Sequence, residues 1–175
     1  MTGTTDIKPD EQTDIPLTDA PEPDAELDFP LVELFFFAYR DFISDADEVL
    51  VEYGFGRAHH RVLHFVNRRP GMVVAELLDI LRITKQSLGP VLRQLVDSGH
   101  LVQVAGPEDR RQRLLYPTQK GRNLSIELTQ IQSRRIKGAI EGIKNRDRET
   151  IKDFLFGMIE PEERDVVEAL MLKDR

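Results

Sequence analysis

ITKQSLGPVLRQLVDSGHLVQVAGPEDRRQRLLYPTQKGR, residues 83–122, decides how this chain is read. Thr84 precedes Lys85-Gln86-Ser87, so a threonine oxygen is placed to cap a helix. Leu88, Val91, Leu92 and Leu95 then recur at helical spacing and make one apolar face as far as about Ser98. Gly99 stands where a helix end favours a left-handed residue. The period then changes. Leu101–Ala105 and Leu114–Pro117 read as short strands joined by a loop, Gly106-Pro107-Glu108-Asp109-Arg110-Arg111-Gln112-Arg113. Three arginines crowd the tip of that hairpin, and like charges so close repel unless a polyanion lies against them.

Toward the N-terminus, Pro70-Gly71 is a turn and Met72–Val74 a very short strand. Ala75–Leu81 is a short helix with Leu77, Leu78 and Leu81 inward, broken at Arg82-Ile83. Two helices separated by so few residues form a helix-turn-helix arrangement, and a hairpin directly after the second makes it winged. Further out, Arg57–Asn67 reads as a helix with Ala58, Val62, Phe65 and Val66 inward. From about Pro30 to Glu52, Leu31, Leu34, Phe35, Ala38, Phe42 and Val49 recur at helical spacing. Phe36 and Phe37 widen that stripe, so the helix is buried on most sides or meets a partner chain. On the C-terminal side a long helix spans about Gln119–Lys144, with Leu124, Leu128, Ile131, Ile136, Ile140 and Ile143 inward. Ile151, Phe154, Leu155 and Met158 belong to a short helix. The last helix starts at Pro161, a residue suited to a first turn, with Val166, Val167, Leu170 and Met171 as its apolar face.

The expected fold is therefore mostly α with a small β-hairpin wing: a winged helix-turn-helix with a helical dimerisation region. Residues 1–28 read as a disordered acidic tail, 29–56 as a dimerisation helix, 57–121 as the winged domain and 122–175 as C-terminal dimerisation helices.

The net charge of −7 conceals a strong asymmetry. Residues 1–28 hold nine acids and one lysine, whereas residues 57–122 hold twelve Lys/Arg against five acids, together with all four histidines. A basic middle inside an acidic total is the electrostatic footprint of a phosphate-binding surface. The 175 residues suffice for one domain with its own core. No apolar run reaches the roughly 18 residues of a membrane span, and the N-terminus carries acid where a signal peptide would carry base. A cytoplasmic protein without membrane contact is expected. The absence of cysteine excludes a disulfide scaffold, a thiolate metal site and a thiol switch. Phosphate-loop, dinucleotide, G-x-S-x-G and H-E-x-x-H motifs are absent too, which argues against an enzyme. His60 and His64 lie four apart on one helix, yet no acidic ligand accompanies them there. Neither metal nor cofactor is expected.

Gly99-His100-Leu101-Val102, Asp109-Arg110-Arg111 and Pro117-Thr118-Gln119-Lys120-Gly121-Arg122 together resemble the wing of MarR-family regulators. Pro70-Gly71, Glu76-Leu77 and Ile83-Thr84-Lys85-Gln86-Ser87 are similar to the family's helix-turn-helix, and Glu160-Pro161-Glu162-Glu163 to the opening of its last helix. The resemblance covers about residues 30–172. It implies a homodimer whose first and last helices interlock, double-stranded DNA with a pseudo-palindromic operator as partner, and release by a small-molecule effector. It also implies that Arg111 is the wing arginine and Asp109 its acidic partner, shaping the loop by an ion pair. Four features depart from the pattern. Arg82 stands where the turn often has glycine, Pro90 falls inside the recognition helix and tends to kink it with Gly89 beside it, Pro117 replaces a leucine of the second wing strand, and the stretch from Gly121 to Pro161 is long.

By position, Thr84, Lys85, Gln86 and Ser87 open the recognition helix toward base edges or phosphates. Arg93 is either a backbone contact or a plain surface arginine. Arg110, Arg111 and Arg113 supply the charge of the wing. Phe35, Phe36, Tyr39, Arg40 and His59 line an effector pocket or belong to a core stripe. The rival to a DNA-binding regulator is a winged module that regulates by binding another protein. Gly89-Pro90 keeps it open and the arginine wing argues against it.

Overall fold

The structure, a computed structural model, describes residues 27–143 and 147–172. The expected tail falls outside them except for Leu27 and Asp28. In chain order the elements are α1 (Phe29–Val51), α2 (Arg57–Arg68), β1 (Met72–Val73), α3 (Val74–Leu81), α4 (Lys85–Asp97), β2 (Leu101–Ala105) and β3 (Arg113–Pro117). These are followed by α5 (Gln119–Glu141), α6 (Arg148–Gly157), a 3-10 turn (Pro161–Glu163) and α7 (Arg164–Leu172). The fold is the expected mostly helical one with a small antiparallel wing. The chain divides into two compact units between Phe37 and Ala38. In the first, the Asp28 carboxylate accepts the Leu31 N–H at 3.0 Å and starts α1. Leu31, Val32, Leu34, Phe35, Phe36 and Phe37 are all exposed.

The second unit is built around one core. Leu50, Val62, Leu63, Val66, Leu77, Leu95, Leu101, Leu115 and Leu128 are fully or almost fully buried, and each such leucine contributes about 1.5–3 kcal/mol by leaving water. The two hairpin strands are joined by β1, giving a three-stranded sheet of order β1-β3-β2. Met72 pairs with Leu115, and Leu101 with Pro117. The brief Met72–Val73 strand thus anchors the hairpin to the start of the helix-turn-helix.

Three of the four departures from the family pattern have a local solution. Arg82 takes the left-handed conformation, φ 51°, as a glycine would at the C-cap of α3. Its guanidinium pairs with Glu163, an exposed contact of small energy. Pro117 is tolerated by register. The Thr118 N–H donates to the His100 carbonyl at 3.0 Å, so in the antiparallel alternation Leu101–Pro117 is a non-hydrogen-bonded pair. The missing Pro117 N–H therefore faces away from β2, past the end of the two-residue strand β1. α4 runs unbroken from Lys85 to Asp97 through Pro90, whose ring is exposed. Only the Gln86 carbonyl loses its intrahelical donor.

The long helix differs from its periodic reading. Leu124 and Leu128 are buried, but Ile136 and Ile143 are 46% and 44% exposed, so α5 leaves the core beyond Leu128. No described residue of α6, or of Arg164–Met171 in α7, is buried. Phe154, Leu155, Met158, Val166 and Met171 remain largely exposed. No helix among the described residues is long and apolar enough to cross a membrane.

Candidate nucleic-acid interface

α4 is set by its cap. Thr84 Oγ1 accepts the Ser87 N–H at 3.2 Å and lies 3.0 Å from the Ser87 hydroxyl. Both residues are thus occupied in starting α4. Leu88, Leu92 and Leu95 point into the core and define the inner face. At 100° per residue, Gln86, Pro90, Arg93 and Asp97 occupy the opposite face. Lys85 and Gly89 lie on the flank toward the wing. There a cleft of about 360 Å³ runs between α4 and the sheet, edged by Lys85, Arg93, Gln103 and Arg113 and floored by Leu88 and Leu92. The other flank is tied down. Gln94 donates to the Gly54 carbonyl at 3.0 Å, and its Oε1 lies 2.9 Å from His59 Nε2. His59 Nδ1 accepts the Gly56 N–H at 3.1 Å, so Nε2 carries the proton and donates to Gln94. The imidazole also stacks on Phe55 at 4.8 Å.

The wing is closed tightly at its tip. The Asp109 carboxylate accepts the Arg111 N–H at 2.9 Å, the Gln112 N–H reaches the Asp109 carbonyl, and the Gly106 N–H reaches the Gln112 carbonyl. Asp109 therefore shapes the loop by a backbone turn, and among the described residues it forms no ion pair, contrary to the expected partnership with an arginine. A side chain at Gly106 would place its Cβ 2.7 Å from the Asp109 carbonyl oxygen, so only glycine closes this loop. Lys85, Arg93, Arg110, Arg111 and Arg113 are likewise in no ion pair among the described residues. Lys85 and Arg93 of α4 and Arg113 of the wing share the rim of one cleft, with the acid Asp97 among them.

The five residues assigned to an effector pocket do not share one environment. Phe35 and Phe36 are exposed in the first unit. Arg40 pairs with Asp41 at 2.8 Å, and His59 turns to Phe55 and Gln94. Tyr39 alone lines a cavity, of about 320 Å³, with Phe42, Ile43, Asp47, His60 and His64. The i, i+4 spacing of the two histidines was the available signal that they, and not His59, share one face.

Burial holds the imidazole of His60 below its ordinary 6.5, helped by His64 and opposed by Asp47. Burial also lowers His64, with Arg68 adding to it, and lowers the enclosed His100, with Lys120 adding to it. All three resist protonation when folded, whereas unfolded histidines take up protons below pH 6.5. Their contribution is therefore intact above that pH and is lost as pH falls through it, by up to about 1.4 kcal/mol per pH unit for each histidine. Asp41, lowered by the Arg40 guanidinium, and Asp147, lowered by the Thr150 hydroxyl, act only below their ordinary 3.8. The melting temperature is expected to decline from about pH 6.5 to pH 5, and His60→Gln with His64→Gln to flatten that decline. Calorimetry across the interval checks it, and a parent melt independent of pH there would contradict it.

Comparison with known proteins agrees with this architecture. The model of the MarR family matches residues 53–112, which span α2, the helix-turn-helix and most of the wing. The HTH-type transcriptional regulator PetP of Rhodobacter capsulatus is 41% identical over 143 residues, covering 82% of this chain and 85% of that protein. The crystal structure of a MarR transcriptional regulator from Methanosarcina mazei Go1 has 24% identity and a TM-score of 0.62, covering 73% of this chain and 92% of that one. A MarR protein from Peptoclostridium difficile has 17% identity and a TM-score of 0.67, covering 87% of this chain and 97% of that one. The two structures speak for the fold. The extent of identity with PetP, joined to the family match over the helix-turn-helix itself, shows that the chain belongs to the MarR family and is a helix-turn-helix transcriptional regulator.

Proposed function

We propose that the chain is a cytoplasmic homodimer that binds double-stranded DNA sequence-specifically and reads a pseudo-palindromic operator. The observation that carries this is the set of uncompensated cations on two adjoining elements, Lys85 and Arg93 on α4 and Arg110, Arg111 and Arg113 on the wing. Phosphates neutralise such a surface and release counterions, while α4 offers Gln86 to base edges. The test is a mobility shift of the full chain on the duplex upstream of its own gene, with selection from a random duplex library beside it. Retention of a defined sequence over a scrambled one is expected; equal, weak retention of both would overturn the reading.

Dimerisation is supported by apolar surface that the chain alone leaves in water. Phe154 and Leu155 on α6 are 55% and 50% exposed, Met158 just after it is 53% exposed, and the first unit exposes Leu34, Phe36 and Phe37. Clustered exposed apolar side chains of this kind mark an association face, and a symmetric dimer is the commonest solution. Sedimentation is expected to give a dimer at micromolar concentration, and Leu155→Glu with Met158→Glu to shift it toward monomer. A parent monomer at that concentration would overturn the dimer. The cavity beside Tyr39, His60 and His64 is where a small-molecule effector that releases DNA would bind.

A further inference from the structure

We propose that Pro90 is a base-reading residue, its pyrrolidine ring sensing the 5-methyl group of a thymine in the major groove. The proposal rests on the DNA-binding reading above and adds what part of the sequence is read and by which side chain. The position of Pro90 makes the case. Leu88, Leu92 and Leu95 are 1%, 5% and 0% exposed and fix the inner face of α4, which leaves Pro90 near the centre of the outer face. Gln86 lies one turn before it and Arg93 about one turn after it. On one flank Ser87 and Gln94 are held by Thr84 and by Gly54 and His59. On the other flank Gly89 has no side chain, and a Cβ built there would meet nothing within 4 Å. The ring of Pro90 is thus the most prominent apolar surface on that face, with open space on its wing side.

The chemistry of the ring narrows what it can recognise. Proline has no N–H, so it offers a base edge only methylene groups. In the major groove the apolar group on a base edge is the thymine methyl; the other distinguishing groups are donors and acceptors. The ring has almost no rotamer freedom to lose on contact, so burial of a methyl against it is not offset by side-chain ordering. A proline inside a helix also costs folding free energy, and violations of local preference of this kind concentrate at functional sites. Gln86 and Arg93 on either side suit adenine and guanine. The rise from residue 86 to 90 is about 6 Å, or roughly two base-pair steps, so the three side chains sample neighbouring pairs.

The experiment uses the full chain and duplexes that it selects from a random library. Each thymine of a selected duplex is replaced singly by deoxyuridine, which removes only the methyl group, and binding is measured for the parent, Pro90→Ser and Pro90→Ala. The expected result is one thymine per half-site at which the parent loses affinity about fourfold, the effect of one buried methyl group. Pro90→Ser loses that sensitivity, and Pro90→Ala, which keeps an apolar methyl, retains part of it. Circular dichroism melts establish that the variants are folded. Selected duplexes with no sensitive thymine would overturn this proposal while leaving the DNA-binding reading standing. A sensitive thymine whose effect persists in Pro90→Ser would overturn it equally. Failure of the parent to select any sequence would overturn the DNA-binding reading, and this proposal with it.

Discussion

Gly121→Ala is expected to destabilise the chain by about 3 kcal/mol or more and to lower its melting temperature by roughly 10 °C. A Cβ at this position would lie 2.0 Å from the His100 carbonyl oxygen and 2.9 Å from its carbon. The obstacle is backbone, and that backbone is held. The same carbonyl accepts the Thr118 N–H at 3.0 Å and lies 3.1 Å from the Thr118 hydroxyl. Thr118 in turn caps α5 by accepting the Gly121 N–H at 3.1 Å. Wing, cap and long helix meet at one point, and a methyl group there must push the start of β2 away from α5. Gly89→Ala supplies the contrast. Beyond its chain neighbours a Cβ there meets nothing within 4 Å, so the change is expected to shift stability by less than about 1 kcal/mol, the helix preference for alanine being opposed by crowding against the Pro90 ring. Thermal unfolding followed by circular dichroism checks both. A Gly121→Ala melt within two degrees or so of the parent would show that the α5–β2 contact yields easily.

Loss of the wing arginines is expected to have the largest effect on DNA binding and almost none on folding. Arg110, Arg111 and Arg113 lie within four residues, and the one acid that shapes their loop is committed to a backbone N–H. An arginine placed on phosphate releases about one counterion, so Arg111→Ala should reduce the salt slope by about one unit and weaken binding about fivefold near physiological salt. The triple alanine variant should reduce the slope by about three units and affinity about a hundredfold. If Arg111 enters a narrow A·T minor groove instead of resting on phosphate, preference for such sequences falls as well. Titrations of a selected duplex at two salt concentrations, with sedimentation to verify the dimer, measure this. Parent-like affinity of the triple variant at both salts would remove the wing from the interface.

How much could be read without coordinates is clearest at particular residues. The Thr84 cap, the leucine face of α4, the Gly99 exit and the arginine loop were all legible because each is a local signal. Capping oxygens, left-handed glycines and the switch from helical to alternating period act within a few residues. The regional charge reversal was equally legible, since it needs only counting. Asp109 was misread in mechanism because an acid beside arginines suggests a charge pair, whereas the nearest unsatisfied donor was a backbone N–H. The inward set of α5 was overextended because periodicity reports that a face is apolar, not what covers it.

Tertiary structure decided the rest, because it depends on residues far apart in the chain. Whether Pro117 could sit in a strand turned on hydrogen-bond register with β2 and on the brevity of β1. The side on which His59 lies turned on Gln94, thirty-five residues away, and left the cavity to Tyr39, His60 and His64. The requirement for glycine at 121 is invisible in a local window, since the atom that forbids a side chain belongs to His100. A sequence discloses what each segment prefers for itself; which backbone atoms crowd one another, and which faces stay in water, is settled only when the segments are packed together.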